Sequence, residues 1–572
     1  MFDTLPTTAQ AFMDWPWEKI EPYYAELAER PLTPDTVHQW LLDWSSLTKL
    51  VSERFSRLHV AKTIDTTDEA VEKAFNDFLE TVFLAAQSAE QTLNVRLLQS
   101  GLEPDNMAVP LSKIRADVEI FREENLPLMN EEKKLDAAYD KIIGAQTIEW
   151  AGEERTLTGL KPFFNTPDRA VREQIWRQKS ARQLQDREAI NANWRKLIEL
   201  RIQQAANAGF GKDYRAFRWQ MLKRFAYTPE DSKAFAQAIE EVVVPAASRI
   251  YAQYHSDLGV ESLRPWDVDD DKDLLFSPPL RPYENPDDLD AKAAAIFQRV
   301  DPQLGSYFET MRSEKLLDLP NRKGKAPGGY CTAFPVAQRP FIFMNAIGSS
   351  RDVTTMLHEA GHAFHVFERT KLPYVPQMRT DMEFNEVASM AMELLSAPYL
   401  AAGEGGYYSE VDAARHRIQH LQKIIHFWPY MAVVDLFQHW VYENMEAALD
   451  AANCDAVWAD LWRRYMPGID WDGFADEMAT GWQRKQHIHG SPFYYVEYGM
   501  AQVGAIQVWR NALNDQAGAV ARYRQALAKG GTVTLPELYE TAGATFAFTV
   551  PVMQEAVALL EKTIAELEAT LP

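Results

Sequence analysis

The feature that most constrains this chain is the segment at residues 349–369, SSRDVTTMLHEAGHAFHVFER, which we predict to be one helix. Ser349 and Asp352 are suited to capping its first turn. His358 and His362 lie four residues apart, so on a helix they are about 40° apart around the axis and about 6 Å apart along it. Two imidazoles placed in this way can bind one tetrahedral Zn²⁺. The segment therefore predicts a zinc-binding helix.

Glu359 directly follows the first of these histidines and, on a helix, is offset from it by about 100°. Its carboxylate then flanks the metal instead of binding it, a position that suits a general base acting on a metal-activated water. Two ordinary core histidines are the alternative interpretation. Gly361 argues against it, because a glycine inside a helix is costly unless a neighbouring chain must approach closely.

A catalytic zinc site needs a third protein ligand and one open position. His365 lies about two turns, roughly 10 Å, beyond the first histidine, which is too far for both to bind one ion. Residues 381–393, DMEFNEVASMAME, offer carboxylates instead, since Glu386 and Glu393 share a helical face and Glu383 is close to it. Glu386 fits as the third ligand, and Glu383 or Glu393 can hydrogen-bond a ligating histidine. A solvated acidic face is the alternative.

The rest of the chain is helical by its apolar periodicity. Strand patterns are few: a hairpin at residues 146–158 and a short strand at residues 340–345, PFIFMN. Helices are predicted by apolar residues at three- and four-residue spacing at 67–100, 167–208, 229–258 and 551–567. Pro229 behind Thr228 is typical of a capped first turn. We predict a mostly α protein with a small β-sheet.

Charge and cysteine content exclude several classes of function. The 572 residues carry 59 Lys plus Arg against 82 Asp plus Glu, a net charge of −23 that repels nucleic acid and anionic membranes. The most apolar stretch, residues 426–442, is interrupted by polar residues and a proline, so no membrane span is expected. Two isolated cysteines, Cys331 and Cys454, and an N-terminus without a secretory pattern indicate a cytoplasmic protein without a disulfide framework.

Taken together, these residues resemble the thimet oligopeptidase and oligoendopeptidase F family of zinc metallopeptidases, the oligoendopeptidase F-like members most closely. The pattern of that family is H-E-x-G-H, followed about 25 residues after the second His by a Glu in an F-x-E-x-x-S context. Here residues 384–389 read FNEVAS, and Glu386 stands 24 residues past His362. The resemblance therefore selects Glu386 as the third ligand and implies one Zn²⁺ per chain.

A second part of the resemblance concerns substrate binding. Residues 325–332, KAPGGYCT, and the strand at residues 341–345 look like the family's Gly-rich loop and substrate-binding edge strand. An extended peptide can add to such a strand through backbone hydrogen bonds. The resemblance thus implies substrate contacts at Gly328, Gly329 and Tyr330.

A third part is the segment at residues 486–499, QHIHGSPFYYVEYG. It resembles the segment in which the family places a histidine and tyrosine hydroxyls that stabilise the oxyanion, and a tyrosine hydroxyl can donate without a change of charge near neutral pH. The resemblance implies roles next to the substrate, catalytic for His487, Tyr495 and Tyr498 and substrate-binding for His489 and Tyr494. Which histidine and which tyrosine contact the oxyanion stays open, and an aromatic core stripe is the alternative.

The resemblance also implies an architecture and an activity. Residues 1–195 would form an N-terminal helical region acting as channel wall or lid, and residues 196–572 the catalytic domain. Two helical halves would enclose a deep channel, with zinc on its floor and the small sheet next to the zinc helix. The expected activity is hydrolysis of internal bonds of short unstructured peptides.

Two other functions are also compatible with the sequence. A zinc carboxypeptidase or dipeptidyl exopeptidase could use a similar helical cleft, and a protein with a silent site could bind peptides without cleaving them. No nucleic-acid or membrane partner is expected. The oligomeric state and the subsite preference stay open.

Overall fold

The computed structural model describes residues 1–268, 279–285 and 287–572. The chain divides into two compact units, each built from three stretches. The first unit consists of Met1–Val118, Arg281–Ala413 and Gly504–Phe546, and the second of Glu119–Leu280, Ala414–Val503 and Ala547–Pro572. The predicted division into a lid at residues 1–195 and a catalytic domain at 196–572 follows chain order instead, and it stays a prediction.

Helices dominate the described residues, and we number them in chain order. They are α1 Trp17–Glu29, α2 Val37–Ile64, α3 Glu69–Phe78, α4 Leu84–Ser100, α5 Ala108–Ile120, α6 Asn125–Gly144, α7 Lys161–Phe164, α8 Arg169–Gln185, α9 Arg187–Asn207, α10 Tyr214–Met221, α11 Pro229–Ala238, α12 Val244–Leu258, α13 Asp287–Val300, α14 Pro302–Ser313, α15 Ser350–Arg369, α16 Met382–Ser396, α17 Glu410–Glu443, α18 Met445–Ala448, α19 Ala451–Tyr465, α20 Ala475–Ala479, α21 Gln486–Gly490, α22 Val496–Asn514, α23 Gln516–Lys529, α24 Leu535–Thr541 and α25 Val550–Glu568.

The helices predicted from apolar periodicity are present, but three of the four predicted segments are interrupted. A single π-helical turn separates α3 from α4, and another separates α11 from α12, whereas α8 and α9 meet at Asp186. Thr228 and Asp231 form a reciprocal capping box at the start of α11, with Pro229 in its first turn as predicted. Such short interruptions leave the apolar spacing almost unchanged, so the sequence pattern does not reveal them.

The strands form two small sheets. In the second unit, β1 Thr147–Trp150 and β2 Glu153–Thr156 pair antiparallel. Ala151 and Gly152 make the tight turn between them with φ of 56° and 81°, which confirms the predicted hairpin.

The sheet of the first unit contains β3 Leu317–Pro320, β4 Tyr330–Phe334 and β5 Arg339–Ala346 in the order β3-β5-β4. The strand predicted at residues 340–345 is confirmed as β5, but its prediction as an edge strand is wrong. β5 is central, with β3 parallel on one side and β4 antiparallel on the other. Its nearly continuous buried run is typical of a strand that is covered on both faces.

α15 is the element that the sheet positions. It packs against β4 and β5 on one side and against α16 on another, within the first unit. On the far face of the sheet, Phe334, Phe341 and Phe343 pack with Val60 of α2. The prediction of a mostly α protein with a small sheet next to this helix is confirmed. Within the described residues, every helix is too short or too polar to cross a membrane.

Candidate active site

The start of α15 is held by one carboxylate. Asp352 Oδ2 accepts the backbone N–H groups of three consecutive residues, Ile347, Gly348 and Ser349, each at 2.8 Å. The same oxygen accepts the hydroxyl of Tyr283 at 2.6 Å, and Ser349 completes a capping box. The predicted start of the helix is therefore confirmed, and these bonds fix where the first turn lies relative to β5.

His358 and His362 project from one face of α15 towards Glu386 of α16. Ligand atoms of the three residues all lie within 4.8 Å of one another. Glu386 Oε2 is 3.5 Å from His358 Nε2 and 3.7 Å from His362 Nε2. Two ligands about 2.1 Å from one tetrahedral ion lie about 3.4 Å apart. Both the spacing and the donor types therefore fit a zinc ion.

α16 carries two further carboxylates, Glu383 and Glu393, and of these Glu393 is the one that contacts His358. Its Oε1 lies 2.6 Å from His358 Nδ1, so the ring is held with Nε2 turned towards Glu386. Such a contact orients a metal-binding imidazole and raises its basicity. Glu383 is also buried, but it lies near Tyr539, where burial and then this carboxylate raise the pKa of the Tyr539 hydroxyl.

Gly361 sets the distance between α15 and α16. A Cβ on this residue would lie 2.4 Å from the carbonyl oxygen of Ala388 and 2.6 Å from the Cα of Ser389. The reason expected for the glycine, close approach by a neighbouring chain, is thus confirmed. Because α16 carries Glu386 and Glu393, this contact also decides how near the carboxylates come to the histidines.

We therefore expect Gly361→Ala to lower the free energy of unfolding by about 1–3 kcal/mol, since the added methyl meets backbone atoms that cannot rotate away. Chemical denaturation measures this effect. Gly144→Ala is the matched control, because this helical glycine has nothing within 4 Å of its Cβ position; its unfolding free energy should change by less than about 1 kcal/mol. Equal values for the two variants would contradict the tight contact.

Glu359 is 7% exposed. Burial raises the pKa of its carboxyl to about 7, against the opposing effect of His358 and with reinforcement from the carboxylate of Glu386. The backbone N–H of Cys331 on β4 also hydrogen-bonds the Glu359 carboxylate and works against the rise. Glu359 is thus held between the metal-ligand candidates and the edge of the sheet.

The histidines of α15 differ in their surroundings. Burial lowers the pKa of His362 to about 4, which favours the neutral imidazole that binds metals. Burial also lowers the pKa of His358, but its bonds to Glu386 and Glu393 outweigh that effect and the net direction is upward. His365 is buried and its Nε2 lies 3.2 Å from the hydroxyl of Thr380.

A protein-family model supplies the decisive comparison. The model for peptidase family M3 matches residues 163–557, more than half of the chain. The chain belongs to peptidase family M3. Solved structures agree with this result: PZ peptidase A with inhibitor 2 superposes with a TM-score of 0.86 at 26% identity, covering 99% of each chain.

Two curated relatives of this M3 peptidase family member match over shorter stretches. Oligopeptidase PepF of Bacillus subtilis (strain 168) is 23% identical over 276 residues, which is 47% of this chain and 40% of that protein. The oligoendopeptidase F homolog of Borreliella burgdorferi is 23% identical over 224 residues, 38% of this chain and 36% of that protein. The matched part thus spans well under half the length of either relative.

The Gly-rich loop of this M3 member leads into β4, the edge strand. Pro340 of β5 has no N–H and pairs with Ala333, so the alternation of the antiparallel ladder turns the backbone groups of Cys331 and Ala333 away from β5. Gly328 has a φ of +96°, and the Tyr330 hydroxyl lies 2.6 Å from Thr63 Oγ1. The amino-acid pattern does not indicate that the backbone of Cys331 faces outward, because only the strand order and register decide this.

In the second unit, His487 and the tyrosines form one aromatic cluster. The His487 ring lies 4.9 Å from that of Tyr495 and 6.1 Å from those of Tyr494 and Tyr498. The Tyr495 and Tyr498 rings are 5.7 Å apart. Burial, followed by the charge of Lys485, lowers the pKa of His487 to about 4.

His489 differs from His487 in its surroundings. It is 0% exposed, with its ring stacked 4.2 Å from that of Tyr139 and 5.9 Å from that of Trp482. A substrate contact would require this ring to leave a packed aromatic core. The surroundings of His489 therefore favour a core role, whereas those of His487 favour a role next to the substrate.

Proposed function

We propose that this M3 family member is a zinc-dependent oligoendopeptidase that hydrolyses internal bonds of short, unstructured peptides. The observation that carries the proposal is the convergence of His358, His362 and Glu386, with Glu359 buried beside them. Similarity to proteins named oligopeptidase PepF and oligoendopeptidase F homolog supports short peptides as the substrate class here.

His358, His362 and Glu386 would hold one Zn²⁺ per chain. Two imidazoles and one carboxylate are a donor set used by catalytic zinc sites, which keep a further position open for water or substrate. When bound, zinc supplies a Lewis acid that polarises the scissile carbonyl and lowers the pKa of a water molecule. Glu393 would keep the His358 ring in its ligating orientation through the 2.6 Å contact.

Glu359 would act as the general base. It accepts a proton from the attacking water and later delivers it to the leaving amine nitrogen. The hydrogen bond from the Cys331 N–H supports this role, because it leaves the carboxylate little freedom to turn. The oxyanion would accept hydrogen bonds from His487, Tyr495 and Tyr498. This role is supported by the family resemblance of residues 486–499 and by the clustering of the three rings in the second unit.

The outer edge of β4 would bind the substrate backbone. An extended peptide can pair with the outward C=O of Cys331 and the outward N–H and C=O of Ala333, as in β-strand addition. Gly328, Gly329 and Tyr330 lie at the start of this edge and would contact the peptide, as would Tyr494. The predicted channel, the cytoplasmic location and the lid at residues 1–195 stay predictions.

Digestion of a ten-residue peptide with both ends blocked tests the proposal, with mass spectrometry as the readout. We expect cleavage at internal bonds that a zinc chelator stops and added zinc restores. Release of one or two residues from an unblocked end, with the blocked peptide intact, would indicate an exopeptidase. Binding of the peptide without cleavage in zinc-loaded protein would indicate a non-catalytic peptide-binding protein.

A further inference from the structure

An unusual backbone conformation directly precedes the candidate tyrosines. Phe493 has a φ of +63° and is 0% exposed. It follows Pro492 in a turn closed by the Tyr494 N–H, which donates to the Ser491 carbonyl at 3.2 Å. A bulky side chain at positive φ is an outlier, because glycine normally occupies this region. The surrounding structure must therefore hold this residue in place.

Both backbone polar groups of Phe493 are held by buried side chains of the second unit. Its N–H donates to Gln438 Oε1 at 2.8 Å, and its carbonyl accepts from Arg224 Nη2 at 2.5 Å. Gln438 is 0% exposed and donates its own Nε2–H to the Val434 carbonyl within α17 at 3.0 Å. The turn is thus fixed from two directions by groups that bulk water does not reach.

Arg224 connects this turn to the helix that follows. The same Nη2 atom that donates to Phe493 also donates to Glu497 Oε1 at 2.6 Å, and the two charged side chains are only 1% and 2% exposed. The Arg224 guanidinium also lies over the Trp219 ring, 4.6 Å from its centroid. Glu497 is in the first turn of α22. One guanidinium therefore sets the distance between the turn and the start of α22.

The ring of Phe493 is locked as firmly as its backbone. It packs against Trp219 at 5.2 Å, His439 at 5.0 Å and Tyr442 at 5.3 Å between ring centroids.

A buried ion pair such as Arg224–Glu497 is weak evidence for stability, because the cost of removing both charges from water offsets their attraction. Specification of one local geometry is the better account of why a strained turn is tied to a buried pair.

The two anchor points, Phe493 and Glu497, lie next to the candidate catalytic tyrosines in the chain. Tyr495 lies between Phe493 and Glu497, and Tyr498 directly follows Glu497. We propose that the Arg224–Glu497 pair, together with Gln438, positions the hydroxyls of Tyr495 and Tyr498 by fixing the turn at Phe493. This inference rests on the proposed function. It makes Arg224, Gln438 and Glu497 positioning residues that do not touch the substrate.

Two variants test the proposal in the full-length, zinc-loaded protein. Gln438→Met removes the acceptor of the Phe493 N–H with little change of volume. The double variant Arg224→Met/Glu497→Met removes both charges together, so that no unpaired charge stays buried and the fold is retained. For each we expect kcat on a fluorogenic peptide to fall by about 10²-fold, as misplacement by about 1 Å can cause. Zinc content should stay within about twofold, since the metal ligands are not altered. Any change in KM should be much smaller than the fall in kcat, since the β4 edge is not altered.

Arg172→Met is the matched control. Arg172 is also buried in the second unit, pairs with Asp267 and donates to the carbonyls of Thr166 and Pro167, but none of these groups belongs to residues 486–499. Its loss should lower stability and leave kcat of the folded protein unchanged. Wild-type kcat in the Arg224→Met/Glu497→Met variant would overturn the proposal, because the ion pair would then have no influence on the catalytic tyrosines.

Hydrogen exchange read by mass spectrometry separates failure of this proposal from failure of the proposed function. In both test variants, amide exchange at residues 487–498 should rise, while exchange in α15 and α16 should match wild type. If the wild-type protein cleaves no peptide, the proposed function fails, whereas the exchange data still test the anchoring of the turn. Unchanged exchange at residues 487–498 would overturn that anchoring whatever the activity.

Discussion

Glu359→Gln is expected to lower kcat/KM for peptide hydrolysis by about 10²–10⁴-fold, the contribution typical of a general base. Glutamine matches glutamate in size and can still accept the hydrogen bond from the Cys331 N–H, but it cannot take a proton. Because Glu359 is not among the three converging ligand candidates, zinc content should stay at one ion per chain. Steady-state kinetics and metal analysis of the same preparation measure both effects.

Glu368→Gln is the matched control for this variant. Glu368 lies on the same helix, is 3% exposed and pairs with Arg524 at 2.8 Å instead of facing the metal-ligand candidates. Its replacement should reduce stability and leave kcat/KM of the folded protein near wild type. Substantial turnover by Glu359→Gln at full zinc occupancy would remove Glu359 from the mechanism as base.

Glu386→Ala is expected to produce the second large effect, loss of tight zinc binding together with loss of activity. Its Oε2 atom lies 3.5 Å and 3.7 Å from the two histidine nitrogens, so its removal leaves only two protein donors for an ion that requires three. Affinity should fall by more than the roughly 10–100-fold expected when a partner of a ligand is lost. Competition for zinc with a coloured chelator measures the difference.

Glu393→Gln supplies the graded comparison for that measurement. This residue contacts His358 Nδ1 and is outside the converging set, so its zinc affinity should lie between those of wild type and Glu386→Ala. The reverse order of affinities would make Glu393 the third ligand. Wild-type affinity in Glu386→Ala would assign the third ligand to another carboxylate.

Much of the candidate metal site could be predicted because it depends on one helix. The spacing of His358, Glu359 and His362 fixes their relative directions once the segment is helical, and the residues at 349–352 indicate where the helix begins. Gly361 indicated a close neighbour in the same way. Periodicity alone does not identify the third ligand, because three glutamates of α16 are candidates. Only the tertiary structure shows that Glu393 contacts His358 and that Glu383 lies near Tyr539.

The aromatic segment at residues 486–499, in contrast, could be interpreted only in part from the sequence. Its residues resemble a family pattern, but the sequence does not separate His487, which clusters with the tyrosines, from His489, which is enclosed by Tyr139 and Trp482. Nor does it indicate that Arg224, more than 200 residues earlier in the chain, donates to Phe493. No local pattern marks such a contact, because both partners look ordinary within their own segments.

The sequence by itself therefore determined the helical class, the start of α15 and the residues that this helix presents. These features follow from 3.6-residue periodicity and capping, which act within one element. Tertiary structure alone decided that β5 is central and β4 is the edge, which carboxylate meets His358, and how the turn at Phe493 is held. These features depend on contacts between residues far apart in the chain, whose free energy is set by packing and burial that local spacing does not encode.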